Sequence, residues 1–114
     1  MPALRDPSMA DEIQAALDEV VLSWSDITPS KMFGSNCYRA KGVLFAMIGG
    51  KGVITTKLSS EQRLAAETKS GANAFVGAGK VVPSWTEFPV SSADDVVAIQ
   101  AILRHSYDNA VAEA

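Results

Sequence analysis

Apolar residues recur at Ile13, Leu17, Val20, Val21 and Trp24. That spacing lines one face of a helix and predicts one over residues 9–24. Asp11 and Glu12 fall in its first turn, where the helix dipole favours acids. The segment SDITPS, with Pro29, reads as its end. Residues 1–8 hold two prolines and little pattern and read as a frayed leader. From residue 31 the period changes: KMFGSNCYRA, VLFAMI and VITTKL are short β-branched and aromatic runs separated by Lys41-Gly42 and by Gly49 to Gly52. They predict three antiparallel strands over 31–40, 43–49 and 52–58, joined by tight turns.

A second helix is expected over SSEQRLAAETKS, where Ser59 and Gln62 have capping-box spacing and Gly71 suits the position after the last turn. It is only partly apolar, so it should lie on the surface. Ala74-Phe75-Val76 and Trp85 to Phe88 read as two further strands, with GAGKVVPS a loop between them and Pro89 following. Val96, Ile99, Leu103, Tyr107 and Ala110 form one sustained face of a final helix over 92–112, capped by Ser92. The expected fold is therefore α+β and two-layered: a five-stranded antiparallel sheet packed by helices, in the order α-β(3)-α-β(2)-α.

Met32-Phe33-Gly34, then Tyr38, Gly42 and Phe45-Ala46 with Ile48, resemble the N-terminal domain of the TfoX competence-regulator family. Those domains open with an arginine or lysine before Met-Phe-Gly and carry a lysine late in the third strand, which Lys31 and Lys57 match. Pro89 and the closing helix fit the rest of the pattern, so the resemblance spans about residues 10–112. Thr56 departs from it, standing where an apolar or aromatic residue is usual. The resemblance implies a stand-alone domain with a fold similar to secretion chaperones and YjbR-like proteins. It implies no known reaction. Read from the residues themselves, Met32, Phe33, Gly34, Tyr38, Gly42 and Phe45 form a packing signature under the N-terminal helix, because a glycine in mid-strand marks a bulge or a close approach.

A chain of 114 residues, 47% hydrophobic, suits one domain with a core of its own, expected over 9–114. No run approaches the roughly 20 apolar residues of a membrane span, and the N-terminus lacks the pattern of a secretory signal. Cys37 is the one cysteine, which fits a reducing compartment and, by default, the cytoplasm. The net charge of −3 is unevenly spread: −5 over residues 1–30, +6 over 31–80 and −4 over 81–114. Acidic helices compensating a basic sheet would account for this.

Chemistry-bearing clusters are sparse. With one cysteine and one histidine, no zinc set forms, and no cofactor or metal is expected. A Cys37–His105 pair is conceivable, but His105 lies off the apolar face of its helix, so Cys37 reads as structural. Asp18-Glu19 and Asp94-Asp95 are neighbours that splay apart on helices. Gly77, Gly79 and Lys80 lie in a G-A-G-K run without the spacing of a phosphate-binding loop. Arg39, Lys41 and Lys57 are expected near one edge of the strands as a basic strip. These six residues are the expected partner contacts. The function expected is a non-enzymatic interaction or regulatory module binding a protein, with a homodimer as one form. A nucleic-acid accessory using the basic 31–80 segment is the first alternative, set against the acidic balance of the whole chain. A small-molecule binder with a helix–sheet pocket is the second.

Overall fold

The computed structural model describes residues 7–32, 35–49, 52–77 and 79–114, with the backbone alone for 7–11, 32, 70, 77 and 83. α1 (Pro7–Val21) leads into β1 (Ile27–Met32), β2 (Ser35–Ala40), β3 (Val43–Ile48) and β4 (Gly52–Thr55). α2 (Ser60–Ser70), β5 (Asn73–Gly77), β6 (Lys80–Pro89), α3 (Ala93–Ala98) and α4 (Gln100–Glu113) complete the chain. The strands form one antiparallel sheet in the order β1-β2-β3-β4-β6-β5.

The α+β class and the antiparallel sheet agree with the sequence reading, but the described sheet has six strands rather than five. The extra one is the segment read as a helix stop. Ile27 pairs with Ala40 and Met32 with Ser35, so the strand expected over 31–40 is the end of one strand and the whole of the next. Proline disguised it. Pro29 cannot donate to a ladder, yet an edge strand needs a ladder on one side only. Phe33 and Gly34 of the signature lie outside the described residues, as do residues 1–6 of the expected leader, whereas Pro7 and Ser8 open α1. The loop expected at GAGKVVPS is mostly strand, because Gly77 pairs with Lys80 and β6 runs on to Pro89. The final helix is broken at Ile99. The break closes the run Val96-Val97-Ala98-Ile99, where three β-branched residues in four weaken helix propensity. Its face survives: Val96, Ile99, Leu103, Tyr107 and Ala110 are all buried.

Several local expectations hold in detail. Ser59 accepts from the Gln62 amide while the Gln62 side chain accepts from the Ser59 amide, and Gly71 closes α2 in the left-handed region. Lys41 and Gly42 both take positive φ, 50° and 85°, as a type I′ hairpin turn requires. Asp95, in the first turn of α3, accepts from the Ser91 amide and hydroxyl, which holds its carboxyl below the usual range.

Register divides the sheet into two faces. Tyr38, Ala46, Thr55, Thr86 and Ala74 are successive cross-strand partners on the side of the helices. Cys37, Met47, Ile54, Glu87 and Asn73 are successive partners on the other. The main core packs Ile13, Leu17 and Val21 of α1, Ala66 of α2, Val96 of α3 and Leu103 of α4 on the first face. Tyr38 donates to Asp18 Oδ1 at 2.6 Å and Asn36 to Gln14 Oε1 at 2.6 Å, fixing α1 over β2. Burial, then the hydrogen bond to Asp18, drives the Tyr38 phenol far above its usual pKa.

A bulge sets the position of α4. Opposite Tyr38 and Arg39 the β3 partners jump from Ala46 to Leu44, which leaves Phe45 as an extra residue. Phe45 and Ala46 therefore both enter the helical core, while Leu44 and Met47 face the other way. The Phe45 carbonyl accepts from the Thr56 amide at 3.2 Å and from Ser106 Oγ of α4 at 2.7 Å. Ser106 Oγ in turn accepts from the Lys57 amide at 3.2 Å. Asn109 donates to the Lys57 carbonyl at 2.7 Å and to Gln62 Oε1 at 2.8 Å, tying α4 to the cap of α2. Trp24, Phe45 and Tyr107 close the end of this core with ring centroids 5.1–6.3 Å apart, and the Arg104 guanidinium lies 4.9 Å over the Tyr107 ring.

Two outcomes follow. Ser106→Ala takes the hydroxyl from the Lys57 amide and leaves the buried Phe45 carbonyl with the Thr56 amide alone, and should cost about 1–3 kcal/mol in urea unfolding, more than Ser→Ala at exposed Ser91. Tyr38 keeps its proton when folded but ionises near pH 10 when unfolded. Its contribution is therefore complete below that pH and lost as pH rises above it. The stability of the wild type should fall more steeply above about pH 10 than that of Tyr38→Phe, by up to about 1.4 kcal/mol per pH unit.

Candidate functional site

The face turned away from the helices carries a second, smaller apolar cluster. Cys37 of β2, Met47 of β3 and Ile54 of β4 are buried there, with Leu44, Phe75 and Trp85 half-buried around them. Among the described residues, no helical side chain joins this cluster. Strand geometry alone builds it. From Ala74 to Phe75 the β6 partners jump from Thr86 to Val82, so Pro83, Ser84 and Trp85 are surplus residues in β6. A proline is tolerated in such a bulge. The excursion lets the Trp85 ring lie beside Phe75, with centroids 5.7 Å apart and an interplanar angle of 36°. Beyond it, Val76 and Val81 pair across the β5–β6 hairpin and stay exposed, at 56% and 59%.

The sequence-derived residues do not converge on one spot. Arg39 is half-buried and paired with Thr28 and Leu44, at the border of the open face. Lys41 is exposed in the β2–β3 turn. Gly77, Gly79 and Lys80 belong to the β5–β6 hairpin, with Lys80 exposed and Gly79 at φ 78°. Register puts both turns at the same end of the sheet, but three strand spacings apart, roughly 14 Å. Lys57 lies at that end too, yet it turns back onto the helical layer and pairs with Glu113 at 2.8 Å. It does not form a strip with Arg39 and Lys41. Arg63 is also engaged internally, donating to the Leu58 carbonyl and to Ser60. Of the packing signature, Tyr38 and Phe45 are core residues on the helical face, Gly42 completes the hairpin turn, and Met32 ends β1.

No acid–base or nucleophilic pair is assembled from Cys37 and His105. Cys37 is fully buried on the open side of the sheet, with its sulfur 3.1 Å from Ser30 Oγ. His105 is exposed on α4 in the helical layer, where it borders a surface hollow with Gln62, Ala66, Lys69 and Ile102. Among the described residues no cluster of three or more His, Cys, Asp or Glu could hold a metal ion. No described helix is long and apolar enough to cross a membrane.

The aromatic pair on the open face is the feature that the sequence reading missed. The sequence holds Trp24, Phe45, Phe75, Trp85 and Phe88 among its aromatics. The structure divides them: Trp24, Phe45 and Phe88 join the helical core, and Phe75 and Trp85 lie across the sheet from it. The signal available was Pro83 inside an apolar run, which marks a bulge that resets the alternation.

Comparison with family models, with curated proteins and with solved structures finds no match to this chain.

Proposed function

We propose that this domain is a protein-binding module, without chemistry of its own, that docks a partner on the sheet face its helices leave open. The carrying observation is the half-buried Phe75–Trp85 pair, which with Leu44 packs on a small buried cluster that no described helix covers. Large, rigid aromatics flanked by charged residues are the composition of an interface centre with its rim. Arg39 and Glu87 supply that rim at either side of the patch. The resemblance to TfoX N-terminal domains supports the same class of function, a regulatory contact rather than a reaction. The buried lone thiol suits a reducing, cytoplasmic setting.

The nucleic-acid reading asks for one continuous basic surface. Lys57 and Arg63 are engaged within the fold, and the sheet holds Lys41 and Lys80 apart. The open aromatic face therefore favours a protein partner.

Quantitative affinity capture tests this with the full chain, Leu44→Arg, and Val97→Lys on the exposed side of α3, each first shown to melt like the wild type. Proteins enriched by the wild type and by Val97→Lys should drop about tenfold or more with Leu44→Arg, the scale of losing an interface anchor. An unchanged profile with Leu44→Arg, or no enrichment by the wild type, would reject the reading.

A further inference from the structure

The two margins of the sheet differ in how they meet a neighbouring strand. β1, ITPSKM, has Pro29 in its middle and Lys31 near its end, two devices that discourage strand addition. β5, NAFVG, has neither a proline nor a charge. It lies at the other margin, and among the described residues it is paired with β6 on one side only. An edge strand of this composition presents unmade backbone hydrogen bonds with nothing to repel a similar strand. Its exposed valines, Val76 on β5 and Val81 beside it on β6, add apolar area at the same margin.

We infer that β5 is a self-association edge, where a second copy of this chain pairs β5 to β5 in antiparallel fashion about a two-fold axis at Phe75. The inference rests on the reading of the open sheet as a contact surface and names a second copy as the occupant of its β5 margin. The strand is self-complementary in this register. Phe75 meets its own counterpart, Ala74 meets Val76 and Asn73 meets Gly77, so the smaller side chain faces the larger on each side of the axis. No charge meets a like charge, which makes the neutral edge compatible with itself. The paired Phe75 rings continue each copy's Phe75–Trp85 stack across the axis, and aromatic cross-strand pairs are among the more stabilising.

Size fixes the strength expected. Five residues span about 17 Å, and a strip one strand wide with its flanking valines falls below the roughly 1,200 Å² of a standard interface. The dimer should therefore be reversible and depend on concentration, with a dissociation constant on the order of 10 μM.

Sedimentation velocity on the purified full chain, from about 1 to about 300 μM, brackets that range. The wild type and Val97→Lys should move from monomer to dimer. Val76→Lys, a change at an exposed position, should remain monomeric throughout. A second arm reads the register. Phe75→Cys should form a disulfide-linked dimer under mild oxidation, whereas Val97→Cys and the wild type, with Cys37 buried, should not. A wild type that is monomeric at every concentration overturns the inference. So does a dimer indifferent to Val76→Lys, or a folded Phe75→Cys chain that fails to cross-link. A monomeric chain whose captured partners still depend on Leu44 rejects the β5 dimer and leaves the open-face reading intact. A β5 dimer that captures nothing does the reverse.

Discussion

The Phe45 carbonyl is the point on which the layers of this domain are joined. That carbonyl points toward β4, where the Ala46–Thr55 pairing places Thr56 opposite it, and a buried carbonyl without a partner costs about 1–3 kcal/mol. Ser106 of α4 and the Thr56 amide complete it. Ser106 is itself buried and accepts from the Lys57 amide, so one hydroxyl serves a strand, a loop and a helix together. Asn109, one turn further along α4, reaches the Lys57 carbonyl and the α2 cap. α4, and through it the α2 cap, is thus tied to the sheet at Phe45, the extra residue of β3.

That same residue decides what remains outside. Inserting Phe45 lets Val43, Phe45 and Ala46 serve the helical core while Leu44 and Met47 serve the opposite face. Without the bulge, strict alternation would put Leu44 and Ala46 on one face and Phe45 and Met47 on the other. At the other side of the sheet, the β6 bulge does the same for Trp85. Two local departures from alternation therefore produce a sheet with a thick helical core on one face and a thin aromatic cluster on the other. A thin cluster with half-buried rings is a surface that gains by being covered, which is the physical basis for the proposal that a partner docks on this face.

Much of the fold was legible because it rests on local chemistry. The Ser59–Gln62 capping box, the Lys41-Gly42 turn, Gly71 after α2 and the buried face running from Val96 to Ala110 all have short-range causes. The misreadings have long-range ones. Pro29 denotes a stop in isolation and an edge strand once β2 lies beside it. GAGKVVPS reads as a loop until pairing with β5 draws most of it into a strand. The candidate site was less legible still. Charge could mark Arg39, Lys41, Lys57 and Lys80 in the sequence, but nothing local says that Lys57 turns back to Glu113 while Lys41 and Lys80 end up at separate turns. Phe75 and Trp85 are visible as aromatics, yet their side of the sheet depends on three surplus residues in β6.

The junction at Phe45 can be read amide by amide. The Thr56 amide is bound to the Phe45 carbonyl, and the Lys57 amide is bound to a side-chain hydroxyl of another element. Native-state hydrogen exchange should find both among the protected amides. In Ser106→Ala the Lys57 amide should exchange at least about tenfold faster than the global loss of stability accounts for, while the Gln62 amide in the α2 cap follows the global change alone. Rapid exchange of both amides in the wild type, or a Lys57 rate in the variant that tracks global stability, would contradict the account.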